Sequence, residues 1–162
     1  MTTAERAADP EARLQHALDL SYRFLGRRDR TVAEVRRHLE HRRVEPDTID
    51  DAVAELERQG YLDDARFAQR FADDRRALDG WGPDRIERKL VAAGVDRAHI
   101  AAALAARDAG EELEAAVGLL RSRFAAAPRS DRDRERALGF LVRKGYELDL
   151  AYDAVRAYER AV

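Results

Sequence analysis

The chain contains no cysteine, which excludes disulfide bonds, thiolate nucleophiles and cysteine-ligated metals. Aromatic residues reach only 7%, with one tryptophan, and there are four prolines. A core with so few large rings must close over alanine and aliphatic side chains, which suits slim, closely packed helices. No apolar run approaches the ~20 residues that a membrane-spanning helix needs. Met1–Pro10 likewise lacks the apolar core of a secretory signal. A cytoplasmic protein without membrane contact is expected. An excess of either charge is missing as well: 30 Lys and Arg against 32 Asp and Glu leave a net charge of -2. A protein that coats nucleic acid regardless of sequence is ordinarily basic. Strand-like alternation is also absent, and an all-α fold follows.

What is present is a pattern that returns at a fixed step of 51 residues. Val35, Ile86 and Ala137 fall in step, as do Leu39, Leu90 and Leu141, then Val44, Val95 and Tyr146, then Val53, Leu104 and Val155. Self-similarity at one period marks an array of like modules, each too small to bury its apolar face well alone. The 162 residues divide into a flexible N-terminus at 1–12 and helical modules at 13–60, 61–109 and 110–162. The expected architecture is a tandem array of three three-helix modules, elongated and curved. Such arrays usually offer a long binding surface rather than a catalytic pocket.

The punctuation agrees. Leu14, Ala17, Leu18, Tyr22 and Leu25 keep helical spacing and stop at Gly26. Thr31 to Glu34 form a capping box, in which Thr31 accepts from a first-turn amide and Glu34 reaches back to the cap. The following helix buries Val32, Val35 and Leu39. A third helix opens near Asp47, carries Ile49, Ala52, Val53 and Leu56, and ends at Gly60. In the second module Asp63 caps a helix with Phe67, Phe71 and Leu78 on one face. Gly80-Trp81-Gly82-Pro83 breaks it, and Asp96 caps the last helix there. The third module carries Leu113, Ala116, Val117, Leu120 and Phe124, then Leu138, Leu141 and Val142 up to Gly145, then Leu148, Ala151, Val155 and Tyr158.

The run Leu56-Glu-Arg-Gln-Gly60-Tyr61-Leu62-Asp63-Asp64-Ala65-Arg66-Phe67-Ala68 resembles the signature of the RecX family, bacterial regulators of the RecA recombinase. Agreement continues in Arg27 to Arg30, Thr31 to Leu39, Gly82-Pro83-Asp84-Arg85-Ile86 and Lys89 to Val95, and weakens in the third module to Leu141 to Tyr146. The resemblance implies a non-enzymatic, monomeric modulator of tandem three-helix modules. It would bind along the groove of the RecA–single-stranded-DNA filament and restrain ATPase, strand exchange and coprotease activity, and thereby recombination, repair and the SOS response. One turn departs from the pattern. Ala-Gly-Val at 93–95 and Lys-Gly-Tyr at 144–146 become Arg-Arg-Val at 42–44, so that turn is expected to differ locally for want of a left-handed glycine.

Charge placement argues independently. Residues 20–43 hold eight basic and three acidic residues, whereas 44–57 hold six acids and no base. Residues 121–144 again hold eight basic against three acidic, so the small net charge hides two basic patches. Candidate contacts to the filament protein or to DNA are Arg27, Arg28, Arg30, Arg36 and Arg37 in the first patch. Arg75, Arg76, Arg85, Arg88 and Lys89 form a middle cluster, and Arg132, Arg134, Arg143 and Lys144 the far one. Five phosphate contacts would give a log–log salt slope of about -4. Tyr61, Asp64, Arg66 and Trp81 are further candidates. Packing, first-turn capping and coverage of a helix junction are the competing roles of Tyr61, Asp64 and Trp81.

Enzymatic chemistry has little to stand on. His38 and His41 share a helix face but sit among arginines, which repel a cation. The pairs Asp50-Asp51, Asp63-Asp64 and Asp73-Asp74 lie at helix starts or beside arginines. No phosphate-cradling glycine loop exists. No cofactor and no metal are expected. The alternatives are a helical protein that binds bare single-stranded or duplex DNA, and a helical adaptor unrelated to recombination.

Overall fold

A computed structural model of the chain describes residues 9–161. Among them are nine α-helices and no strand. They are α1 (Pro10–Leu25), α2 (Val32–His41), α3 (Pro46–Arg58), α4 (Asp64–Asp74, continued by a π-turn at Arg75–Asp79), α5 (Pro83–Ala92), α6 (Arg97–Leu104), α7 (Ala109–Arg123), α8 (Asp131–Lys144) and α9 (Leu148–Arg160). The proposed flexible segment 1–12 lies outside the described residues up to residue 8, and Pro10 already opens α1.

The helices gather into two compact units. One comprises the residues up to Phe67 with Ala92–Asp96, the other Ala68–Val91 with Arg97 onward. In the first, α1, α2 and α3 close around Leu18, Val35, Leu39, Ile49, Val53 and Leu56, with Leu62 plugging the end. In the second, α7, α8 and α9 close around Ala116, Leu120, Ala137, Leu141, Ala151 and Val155. The repeat explains why. Val35, Ile86 and Ala137 are 0%, 0% and 1% exposed, and Leu39, Leu90 and Leu141 are each 0% exposed. Each leucine so buried contributes about 1.5–3 kcal/mol, so the 51-residue period is a period of burial.

Two expectations about turns are corrected. The turn without glycine keeps the shape of its glycine-bearing counterparts. Arg43 takes the left-handed conformation itself, at φ 59°, the one non-glycine among the described residues to do so. Its N–H donates to Glu40 O (2.9 Å) and the Val44 N–H to Leu39 O (3.1 Å). Gly145 and Tyr146 repeat that pattern on Val142 O and Leu141 O. The hydrogen bonds that close the helix outweigh about 1–2 kcal/mol of backbone strain. The capping box at Thr31 is half formed: the Glu34 N–H donates to Thr31 Oγ1 (3.1 Å), while the Glu34 carboxylate turns to Arg28 at 3.1 Å and Arg30 at 3.9 Å.

A third correction concerns α4. Its i→i+5 turn at Arg75–Asp79 advances each residue by a smaller angle than an α-turn does. Leu78 therefore leaves the stripe of Phe71 and is 73% exposed. Arg76, one step along the Ala68–Ala72 stripe, is buried instead.

One junction occurs twice, a period apart. In the first unit the Thr31 hydroxyl donates to Ala93 O (2.6 Å). In the second, 51 residues on, the Gly82 N–H donates to Lys144 O (2.8 Å) and the Asp84 N–H to Gly145 O (2.9 Å). Each time, the glycine turn that follows one module's second helix seats on the start of the preceding module's second helix. A Cβ on Gly94 would overlap Ala33 Cβ, and one on Gly145 would overlap Arg85 Cβ. Both glycines also have positive φ, 82° and 102°.

Candidate nucleic-acid and partner interface

The motif of residues 60–66 is mostly a structural knot. Gly60 turns left-handed at φ 80°. The Tyr61 N–H closes on Leu56 O (2.9 Å), and Leu62 is buried in the first core. Asp63 caps α4 by accepting from the Arg66 N–H (3.0 Å). Asp64 accepts from the Val32 N–H (3.0 Å), at the free N-terminus of α2. The Arg66 guanidinium returns to Gly60 O (2.7 Å). Tyr61 is the large apolar side chain of the motif that stands exposed, at 56%, its ring 5.3 Å from that of Tyr22.

The basic residues divide into spent and free. In the first patch Arg36 pairs with Asp50 at 2.7 Å. Arg28 and Arg30 share Glu34. Arg30 also lies 3.9 Å over the Phe24 ring, whose plane stacks at 4.0 Å on His38. Burial, then Arg42, Arg30, Arg27 and His41, hold the His38 imidazole below its ordinary pKa. Arg27 and Arg37 remain exposed without an ion pair among the described residues.

In the middle cluster Arg76 is withdrawn from the candidate surface. Its side chain is 4% exposed, and it donates to Ala103 O and Leu104 O (both 3.3 Å), the orphan carbonyls at the end of α6. Glu112 lies 3.7 Å from both Arg76 and Arg107. Burial pushes the Glu112 carboxyl up, with Arg107 and Arg76 pulling the other way. Burial likewise raises the neighbouring Tyr146 phenol. Arg75 pairs with Asp79. Trp81 is half-buried, edge-on to Phe71 at 6.1 Å, under the Arg85 guanidinium at 4.2 Å. Arg85 also donates to Arg143 O (3.2 Å), which joins the middle and far clusters. Arg88 and Lys89 are exposed.

In the far cluster Arg134 pairs with Asp131 and Glu159, and Lys144 donates to Asp79 O (2.8 Å). Arg132 and Arg143 are free of ion pairs among the described residues and border a recess of about 520 Å³. Reading the sequence missed two of its members, Arg123 and Arg136. The repeat held the clue: Arg136 stands two periods after Glu34, so the third module places a base where the first places the acid that neutralises Arg28 and Arg30.

Two protein-family models match the chain. The model for "RecX, first three-helix domain" matches residues 17–56, and that for "RecX, second three-helix domain" residues 63–104. The Regulatory protein RecX of Mycobacterium avium is 36% identical over 160 residues, 96% of this chain and 89% of that protein. That of Xanthomonas citri is 38% identical over 135 residues, 83% and 80% of the two chains. The crystal structure of RecX from Lactobacillus salivarius superposes with a TM-score of 0.80 over 91% of this chain and 97% of that one, at 18% identity, which speaks for the fold. Two matching domain models and relatives above 30% identity across most of their length place this chain in the RecX family of regulatory proteins.

Proposed function

We propose that this protein binds the groove of the RecA–single-stranded-DNA filament and inhibits the recombinase's ATPase, strand exchange and coprotease activities without catalysing a reaction itself. Membership in a family of regulatory proteins is the observation that carries the reading. Exposed cations without an ion pair among the described residues occur in each of the three modules and fit it: Arg27 and Arg37, then Arg88 and Lys89, then Arg132 and Arg143. Linked modules that each grip weakly bind a polymer tightly through effective concentration. Bridging successive protomers would oppose the motions coupled to ATP turnover.

The test is titration of the full chain into RecA turning over ATP on single-stranded DNA. Turnover should fall with added protein, and the variant R27Q/R37Q/R88Q/K89Q should need at least about tenfold more protein for the same inhibition. Unchanged turnover at saturating protein would remove the reading. Equal affinity for bare duplex and for RecA-coated single strand would favour a plain DNA-binding protein.

A further inference from the structure

The third module carries a feature that family membership does not assign. Arg123, Arg132, Arg136 and Arg143 converge on one recess of about 520 Å³ with Phe124 and Phe140 in its wall. All four arginines are exposed, and none makes an ion pair among the described residues. The two rings meet edge to face at 5.8 Å and 88°, and each is half-buried, so part of its surface is exposed, with the Arg123 guanidinium 5.4 Å from the Phe124 centroid and Lys144 Nζ 5.7 Å from the Phe140 centroid. One acid, Glu135, lines the recess with them.

The first module makes the comparison. Its counterpart recess, about 370 Å³, lies between the end of α1 and the same face of the second helix. There Glu34 stands at the position of Arg136 and His38 at that of Phe140. Glu34 quenches Arg28 and Arg30, and His38 together with Arg30 sandwiches Phe24. In the first recess Arg37 alone of the three arginines lacks an ion pair among the described residues, and the Phe24 ring is covered on both faces. In the third no arginine is ion-paired among the described residues and the two rings meet edge to face rather than stacked, although the repeat places the two recesses alike.

We propose that the recess of the third module is a seat for a single-stranded nucleic acid, holding consecutive phosphates on Arg132, Arg136 and Arg143 and an unstacked base against Phe140. Guanidinium forks match phosphate oxygens two at a time. Open ring surface adds a grip that only a strand with free base planes uses. A duplex hides its base faces, and an acidic peptide supplies carboxylates without the planes. This deepens the reading under Proposed function, on which it rests for its biological setting.

The experiment uses the full chain without the recombinase, so its failure and the failure of filament inhibition are separable. Binding of a labelled oligothymidylate of about 20 nucleotides is followed by fluorescence anisotropy across a salt series. R136E/R143E should weaken binding by at least about tenfold and flatten the log–log salt slope by about 1–1.5, two phosphates at roughly 0.7 each. R13E/R23E, an equal charge change at exposed residues of the first module assigned to no contact, should weaken it at least threefold less, about the difference between a direct contact and a distant field. F140L, which leaves every charge in place, should weaken it by about threefold or more at unchanged slope, a partial loss of stacking. Circular dichroism confirms that each variant is folded. Wild-type affinity in R136E/R143E, equal losses in the two charge variants, wild-type affinity in F140L, or displacement by polyglutamate as effective per charge as by oligothymidylate would each overturn the assignment. The last would point to an acidic segment of a partner protein.

Discussion

Arg43 and the joint glycines show how one backbone conformation is met by different residues at different cost. Arg43 holds φ 59° at an exposed turn, so Arg43→Gly should raise stability by about 1 kcal/mol by removing the left-handed strain, read as a higher urea midpoint at unchanged slope. Gly60 and Gly145 separate strain from contact. A Cβ on Gly60 meets nothing within 4 Å, so Gly60→Ala should cost about 1–2 kcal/mol. Gly145→Ala adds the overlap with Arg85 and should cost about 2–4 kcal/mol in the same assay. His38 links stability to pH. Its folded pKa lies below the ordinary value, first through burial. The unfolded chain therefore takes the proton first, and stability falls as pH drops through the unfolded pKa of about 6.5. His38→Phe, the residue the third module uses there, should abolish the loss between about pH 7.5 and 5.5, monitored by thermal unfolding at each pH.

At the scale of elements, caps and a misfit turn decide how helices meet. Asp64 belongs to α4 yet caps α2, so the loop between α3 and α4 ties two helices together and the 60–66 motif reads as architecture. The π-turn does the opposite of what a straight helix would: it exposes Leu78 and commits Arg76 to the end of α6 and to Glu112. Arg76→Ala leaves the buried Glu112 carboxyl with Arg107 alone and removes the donors to Ala103 O and Leu104 O, and should cost about 3–5 kcal/mol, whereas the double change to Met at 76 and 112 should recover most of it. A double-mutant cycle in denaturant measures both. The raised carboxyl of Glu112 has the opposite linkage to His38. The folded state binds its proton first, so this group adds stability as pH falls through the folded pKa towards the ordinary value.

Across the whole molecule a net charge of -2 coexists with local cationic surfaces, because acids are held within the modules. Asp50, Asp79, Asp131 and Glu159 neutralise arginines beside them. Long-range attraction to bare DNA is thereby weakened, while contacts made at close quarters keep their strength. Removing the four cations of R27Q/R37Q/R88Q/K89Q should flatten the salt slope of filament binding by up to about 3, at roughly 0.7 for each phosphate of a single strand. A slope identical to wild type would show that these residues meet no phosphate.

The sequence determined the helix triplets, the period, the core and the family resemblance, because burial at fixed helical spacing is a local pattern and repeats legibly. Val35, Leu39, Ile86 and Leu90 could be named as core from spacing alone, and all are 0% exposed. Tertiary structure decided which charges are free. Whether an arginine is ion-paired depends on an acid far along the chain: Asp50 for Arg36, Glu112 for Arg76, Glu159 for Arg134. It also decided that Arg43 bends left-handed and that α4 takes a π-turn, since both are local costs that neighbouring hydrogen bonds outweigh.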